Sequence, residues 1–226
     1  MNDSKNFLSP KKDLIFKALL GNEQNKSLLR SFLNSVLDLD IQSSDEIILK
    51  NNEMPQQIEG VNLSKLNIRV KRITSNNSME PIDIEIKLST DLDIIEESTF
   101  CVIKMYAESL DDGDDCSELG RAIVLNLLDC EMFNDDRWFR RSRFCDTSSK
   151  EEMADFIELN FVELPKLSKE IKSDASLQEL WLQFLNVDSE EELDMLAIKD
   201  PSLAQAAQKL REINADDKLR TQCEQR

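Results

Sequence analysis

Asp83, Glu85 and Lys87 alternate with Ile82, Ile84, Ile86 and Leu88 in the stretch Glu80–Ser89. A period of two is that of a half-buried strand, with β-branched residues filling most of one face. On such a strand the three charged side chains project from the same side, each about 7 Å from the next. Carboxylates can ligate a hard divalent cation, and an ammonium beside them can steady a phosphate. Together they would suit metal-dependent phosphodiester cleavage. The same pattern also describes a solvated strand face whose charges pair weakly across a sheet. The stretch alone leaves both readings open.

The segments around it predict the elements that would hold it. Lys65–Ile73 alternates as well, with Leu66, Ile68 and Val70 on one face and Asn67, Arg69 and Lys71 on the other. Ser75-Asn76-Asn77-Ser78 supplies a turn, so the two strands form an antiparallel hairpin. Upstream, Ser9-Pro10 predicts the start of a helix, with serine as N-cap and proline in the first position. Gly21 closes it, and Asp13 sits in its first turns, where the helix dipole favours an acid. A second helix is expected over 25–37, a short strand over 46–50 and a loop over 51–63.

Downstream, residues 92–110 read as a long helix ending at an acidic turn, 111–115, that lacks the ligand spacing of a calcium loop. Arg121–Leu128 is nearly continuous in apolar residues, as in a central strand buried on both faces. Phe156–Leu164 alternates and stops at Pro165; helices follow over 176–185, near 193–198 and over 203–213. Trp181 and Phe184 read as core, and Cys223 as part of a polar, frayed tail. Arg137–Phe144 interleaves arginines with aromatics. Its Arg140, Arg141 and Arg143, with Arg69, are candidate nucleic-acid contacts, or else charges that balance an acidic surface.

Composition narrows the chemistry. The 226 residues carry 28 Lys and Arg against 45 Asp and Glu, a net charge of −17. Such a chain repels polyphosphate at long range, which argues against a generic nucleic-acid coat and leaves room only for a local basic groove. With no histidine, His-based acid/base catalysis, Ser-His or Cys-His nucleophiles and His-containing zinc sites are all excluded. The five cysteines are odd in number, widely spaced and without a C-x-x-C, so reduced thiols in a cytoplasmic setting are expected. No signal peptide or membrane-spanning run is read.

The ordered landmarks resemble a family. Ser9–Gly21 resembles the opening of the recombination-promoting nuclease and transposase family of the PD-(D/E)XK superfamily, where a serine-proline pair precedes an Asp, a Phe-Lys and a glycine. The Glu85-Ile86-Lys87 strand, Gly113 after a Tyr106-containing helix, Phe161–Leu167 and Trp181–Leu185 also look like that family's landmarks, in the same order. The resemblance implies an α/β fold: a restriction-endonuclease-like mixed sheet flanked by helices, with a small C-terminal helical region. Residues 1–166 are expected to form the nuclease-like domain and 167–226 a helical extension packed on it.

The chemistry implied is DNA hydrolysis with Mg²⁺ or Mn²⁺. Glu85 matches the metal-binding acid of the E-x-K/Q signature, Lys87 its cation, and Asp13 the acid of the first helix. Asn67 stands where the family has its metal-binding aspartate, with Asp83 as the nearest replacement carboxylate. Trading a carboxylate for an amide removes a full negative charge from a hard-cation site. Cys101 and Cys116 likewise stand where tyrosines are usual. The expectation is a nuclease relative with activity weakened or lost, acting on DNA if active. The alternative is a catalytically inactive module that binds a protein partner.

Overall fold

The computed structural model describes residues 7–50, 68–74, 79–87, 93–109 and 120–224, which divide into two compact units. One is Gln42–Lys166; the other joins the chain before Gln42 to the chain after Lys166. Asn67, Cys116, the loop expected over 51–63, the turn over 75–78 and the acidic turn over 111–115 lie outside the described residues.

Gln42–Lys166 holds a six-stranded mixed sheet. Its strands are β1 (Glu46–Lys50), β2 (Ile68–Ile73), β3 (Met79–Lys87), β4 (Ala122–Leu128), β5 (Phe139–Cys145) and β6 (Glu152–Glu163). They lie in the order β1-β2-β3-β4-β6-β5. The expected hairpin is present: β2 and β3 pair antiparallel, with Arg69 opposite Asp83. Beyond it β3 runs parallel to β4, and β4 parallel to β6. A parallel step needs a crossover, and helix α3 (Ile94–Ala107) supplies it between β3 and β4.

Ile94, Ser98, Cys101, Val102 and Met105 recur at helical spacing and are the buried residues of α3. Cys101, Val102 and Met105 pack with Ala122 and Val124 of β4, and Ile94 packs with Leu128 and Phe161. The α3 side of β4 is therefore the row Ala122, Val124, Asn126 and Leu128. Every residue of β4 is buried, as its apolar run implies.

The second unit is helical: α1 (Asp13–Leu20), α2 (Lys26–Leu37), α4 (Leu177–Leu185), α5 (Glu190–Ala197), α6 (Pro201–Asn214) and α7 (Asp217–Glu224). Its core is aromatic. Phe32 meets Phe16 edge-on at 6.3 Å and Trp181 at 5.7 Å, and Trp181 meets Phe184 at 5.6 Å. Leu8 N–H donates to Asn214 Oδ1 at 2.8 Å, tying the start of the described chain to the end of α6. The two N-terminal helices thus group with the C-terminal helices, because their apolar faces meet Trp181 and its neighbours there.

Two local expectations are corrected. Helix α1 starts at Asp13 and has no side-chain cap, because the Ser9 hydroxyl instead donates to the Val187 carbonyl at 2.8 Å. Helix α2 ends at Leu37, as expected, and its C-cap residue Asp38 has a left-handed φ of 54°. Cys223 lies inside α7 and not in a frayed tail. At α4 the cap is complete: Ser176 and Glu179 exchange hydrogen bonds as a capping box.

Candidate active site

Val124 faces α3, and register pairs it with Asp83, so Asp83 lies on the α3 side. Further along the strand, Glu85 and Lys87 pair in backbone register with Asn126 and Leu128. The α3-facing side at Asp83 is covered: Asp83 is 1% exposed, and that rules out a solvated face at this position.

Asp83 is held from two elements. Arg69, directly across the hairpin, brings its Nε to 3.8 Å from Asp83 Oδ1. From above, the Cys101 thiol of α3 donates to Asp83 Oδ2 at 3.2 Å, while Arg69 Nη2 donates to the Cys101 sulfur at 3.6 Å. One strand further on, the Ser98 hydroxyl donates to Asn126 Oδ1 at 2.9 Å, and Asn126 Nδ2 reaches the Asn160 carbonyl at 3.3 Å. A polar seam thus runs beneath α3 through an otherwise apolar layer. Two of its members had a signal in the sequence: Asn126 interrupts a doubly buried strand, and Cys101 falls on the buried stripe of α3.

The candidate basic residues do not line one cleft. Arg69 belongs to the Asp83 seam. Arg140, paired in register with Phe161, lies on the α3 side, ion-paired to Asp135 and stacked 4.1 Å over the Phe133 ring. That pairing, and a second with Arg137, holds the Asp135 carboxyl well below the ordinary range. Arg141 and Arg143 serve another carboxylate. Glu158 is paired in register with Ile123, on the side away from α3, and is fully buried. Arg143 Nη2 lies 2.6 Å from Glu158 Oε2, Arg141 Nε 3.4 Å from Oε1 and Arg121 Nη1 3.6 Å from Oε2. Three guanidiniums around one carboxylate neutralise a buried charge.

Asp13 is the first residue of α1, in the helical unit. Glu163, in the Phe161–Leu167 landmark, closes a different loop. Its Oε1 accepts from Met132 N–H at 2.5 Å and Phe133 N–H at 3.0 Å, and Lys166 Nζ donates to its Oε2 at 2.9 Å. Burial opposes its ionisation, yet Lys166 and the two N–H groups outweigh that and hold the carboxyl below its usual range.

A divalent ion asks for negatively charged oxygens free to coordinate it. On the α3 side of β3 and β4 the Asp83 carboxylate already faces a guanidinium and a thiol donor, and Asn126 Oδ1 already accepts from Ser98. A guanidinium beside the seat also opposes a dication. Those described oxygens do not fit the ion. Among the described residues no group of three or more Asp, Glu, Cys or His side chains converges as a metal cage. Nor, among them, is any helix long and apolar enough to cross a membrane.

The family model described as PD-(D/E)XK nuclease family transposase matches residues 10–226. No curated protein and no solved structure matches the chain.

Proposed function

This chain belongs to the PD-(D/E)XK nuclease family of transposases, and on that premise we propose that it is a DNA-directed nuclease relative whose phosphodiester hydrolysis is weakened or lost. Nucleases of this fold generally use divalent metals. The residues left for that chemistry here are Glu85 as carboxylate, Lys87 as the cation beside the scissile phosphate, and Asp13 from the first helix. Asn67 offers a neutral carbonyl oxygen in place of the aspartate.

One observation supports the reading above the others. Asp83, the carboxylate nearest to replacing what Asn67 lacks, is buried between Arg69 and Cys101. Turning it toward an ion would strip Arg69 of its cross-strand partner and empty a packed position under α3, at a cost of several kcal/mol.

Plasmid nicking in Mg²⁺ or Mn²⁺ tests this. The wild type is expected to nick slowly or not at all, and Asn67→Asp to raise the rate by at least about a hundredfold, since a direct metal ligand counts for more than the outer-shell groups whose loss costs about tenfold to a hundredfold. Glu85→Ala should then silence the Asn67→Asp protein. A wild type that nicks efficiently and loses that activity in Asp83→Asn would overturn the proposal.

A further inference from the structure

The face of α3 turned from the sheet carries large apolar side chains in the open. Phe100 and Ile103, 43% and 49% exposed, are three residues apart, and Ile103 is three from Tyr106, so all lie along one side of the helix. The row continues off the helix. Tyr106 packs on Phe156 of β6 at 5.3 Å, and Phe156 stacks on Phe144 of the edge strand β5 at 5.4 Å with 28° between the rings. Phe144 is half exposed.

A bulge makes that continuation. The β5–β6 register jumps from Ser142↔Leu159 to Phe144↔Ala154, and such a jump re-aims the side chains beside it. Soluble chains seldom leave aromatic and aliphatic groups contiguous in water without a use for them.

We infer that this stripe is a docking surface for a protein partner that is basic around its own apolar anchors. The charge around the stripe selects the occupant. Glu96, one turn before Phe100, and Glu151 and Asp155 on the flanking segments are exposed, as is Glu108, which pairs with Lys104 at 3.6 Å, and the chain as a whole carries −17. A second copy would bring the same acids against themselves, and a nucleic acid would bring phosphates against them. A lysine- or arginine-rich surface meets the acids while its apolar groups cover Phe100, Ile103 and the three rings. The inference is independent of catalysis: it stands whether or not the strand with Glu85 and Lys87 cleaves DNA.

The test uses the full chain and three fluorescent probes in anisotropy titrations. They are a leucine–lysine amphipathic helix, an alanine–lysine helix of equal charge, and a single-stranded oligonucleotide. The leucine–lysine helix is expected to bind at least about tenfold tighter than the alanine–lysine helix, and to lose about tenfold in Ile103→Ser/Phe144→Ser. Both positions are exposed, and circular dichroism checks that the variant folds; Ile103→Ser alone serves if it does not. Equal binding of the two helices, or binding insensitive to the substitutions, would reduce the effect to bulk charge and overturn the inference. So would oligonucleotide binding lost with the same substitutions, or a homodimer in sizing experiments that they dissolve.

Discussion

The Cys101 thiol donates to Asp83 Oδ2 across 3.2 Å, linking α3 to the strand that carries Glu85 and Lys87. With Arg69 completing the group from β2, one buried carboxylate pins two strands and the crossover helix together. Asp83→Ala should therefore destabilise the sheet unit by about 3 kcal/mol, because it leaves Arg69 facing an apolar layer. Cys101→Ala removes only a weak donor and should cost about 1 kcal/mol. Urea denaturation of both variants checks the ranking, and a Cys101 variant as damaged as the Asp83 one would contradict it.

Arg143 is expected to matter for stability and little for nucleic acid. It is the closest of the three cations around buried Glu158, and burial of the pair is partial on the arginine side. Arg143→Ala should cost about 2–3 kcal/mol, the cost of loosening a buried ion pair that two other arginines still support. DNA affinity, measured at two salt concentrations, should change less than twofold. A large affinity loss with intact stability would assign Arg143 to a nucleic-acid surface instead.

Acid should loosen the loop that Glu163 clamps. Its carboxyl titrates below the 4.5 of an unconstrained glutamate, since Lys166 and two backbone N–H groups outweigh the effect of burial. A carboxyl depressed on folding contributes stability above its unfolded value, and that contribution is lost as pH falls through the folded one. Denaturation from pH 7 down to about pH 3 should show wild-type stability falling below pH 4.5, with a shallower fall in Glu163→Gln. Equal slopes for the two proteins would remove Glu163 from the acid response.

Trp181 is the largest fully buried side chain of the helical unit, edge-on to both Phe32 and Phe184, with its indole N–H donating to the Ser31 hydroxyl at 3.3 Å. Trp181→Ala should cost about 3–5 kcal/mol and flatten the near-ultraviolet dichroism. Trp181→Phe keeps most of the volume and should cost less than half of that. Comparable losses in the two would point away from packing as the cause.

Much of this molecule could be read along the chain. The hairpin, the doubly buried β4, helix α4 and the core role of Trp181 follow from apolar period, which acts over a few residues. The family could be read too, because its landmarks are ordered along the chain. Strand alternation likewise marked β3 as a strand with a period of two, since a pleat turns every second side chain the same way.

Which side of the sheet α3 covers was another matter. Alternation labels two faces without saying what packs on either, and only the crossover from β3 to β4 buried the Asp83 face. The partners of each charge were equally out of reach. Arg140 and Arg141 are adjacent in sequence yet face opposite sides of the sheet, one bound to Asp135 and the other to Glu158. Likewise, Cys101 meets Asp83 only because a helix and a strand eighteen positions apart come together in space. A strand face that reads as free ligands in one dimension is, at Asp83, a packed polar seam in three.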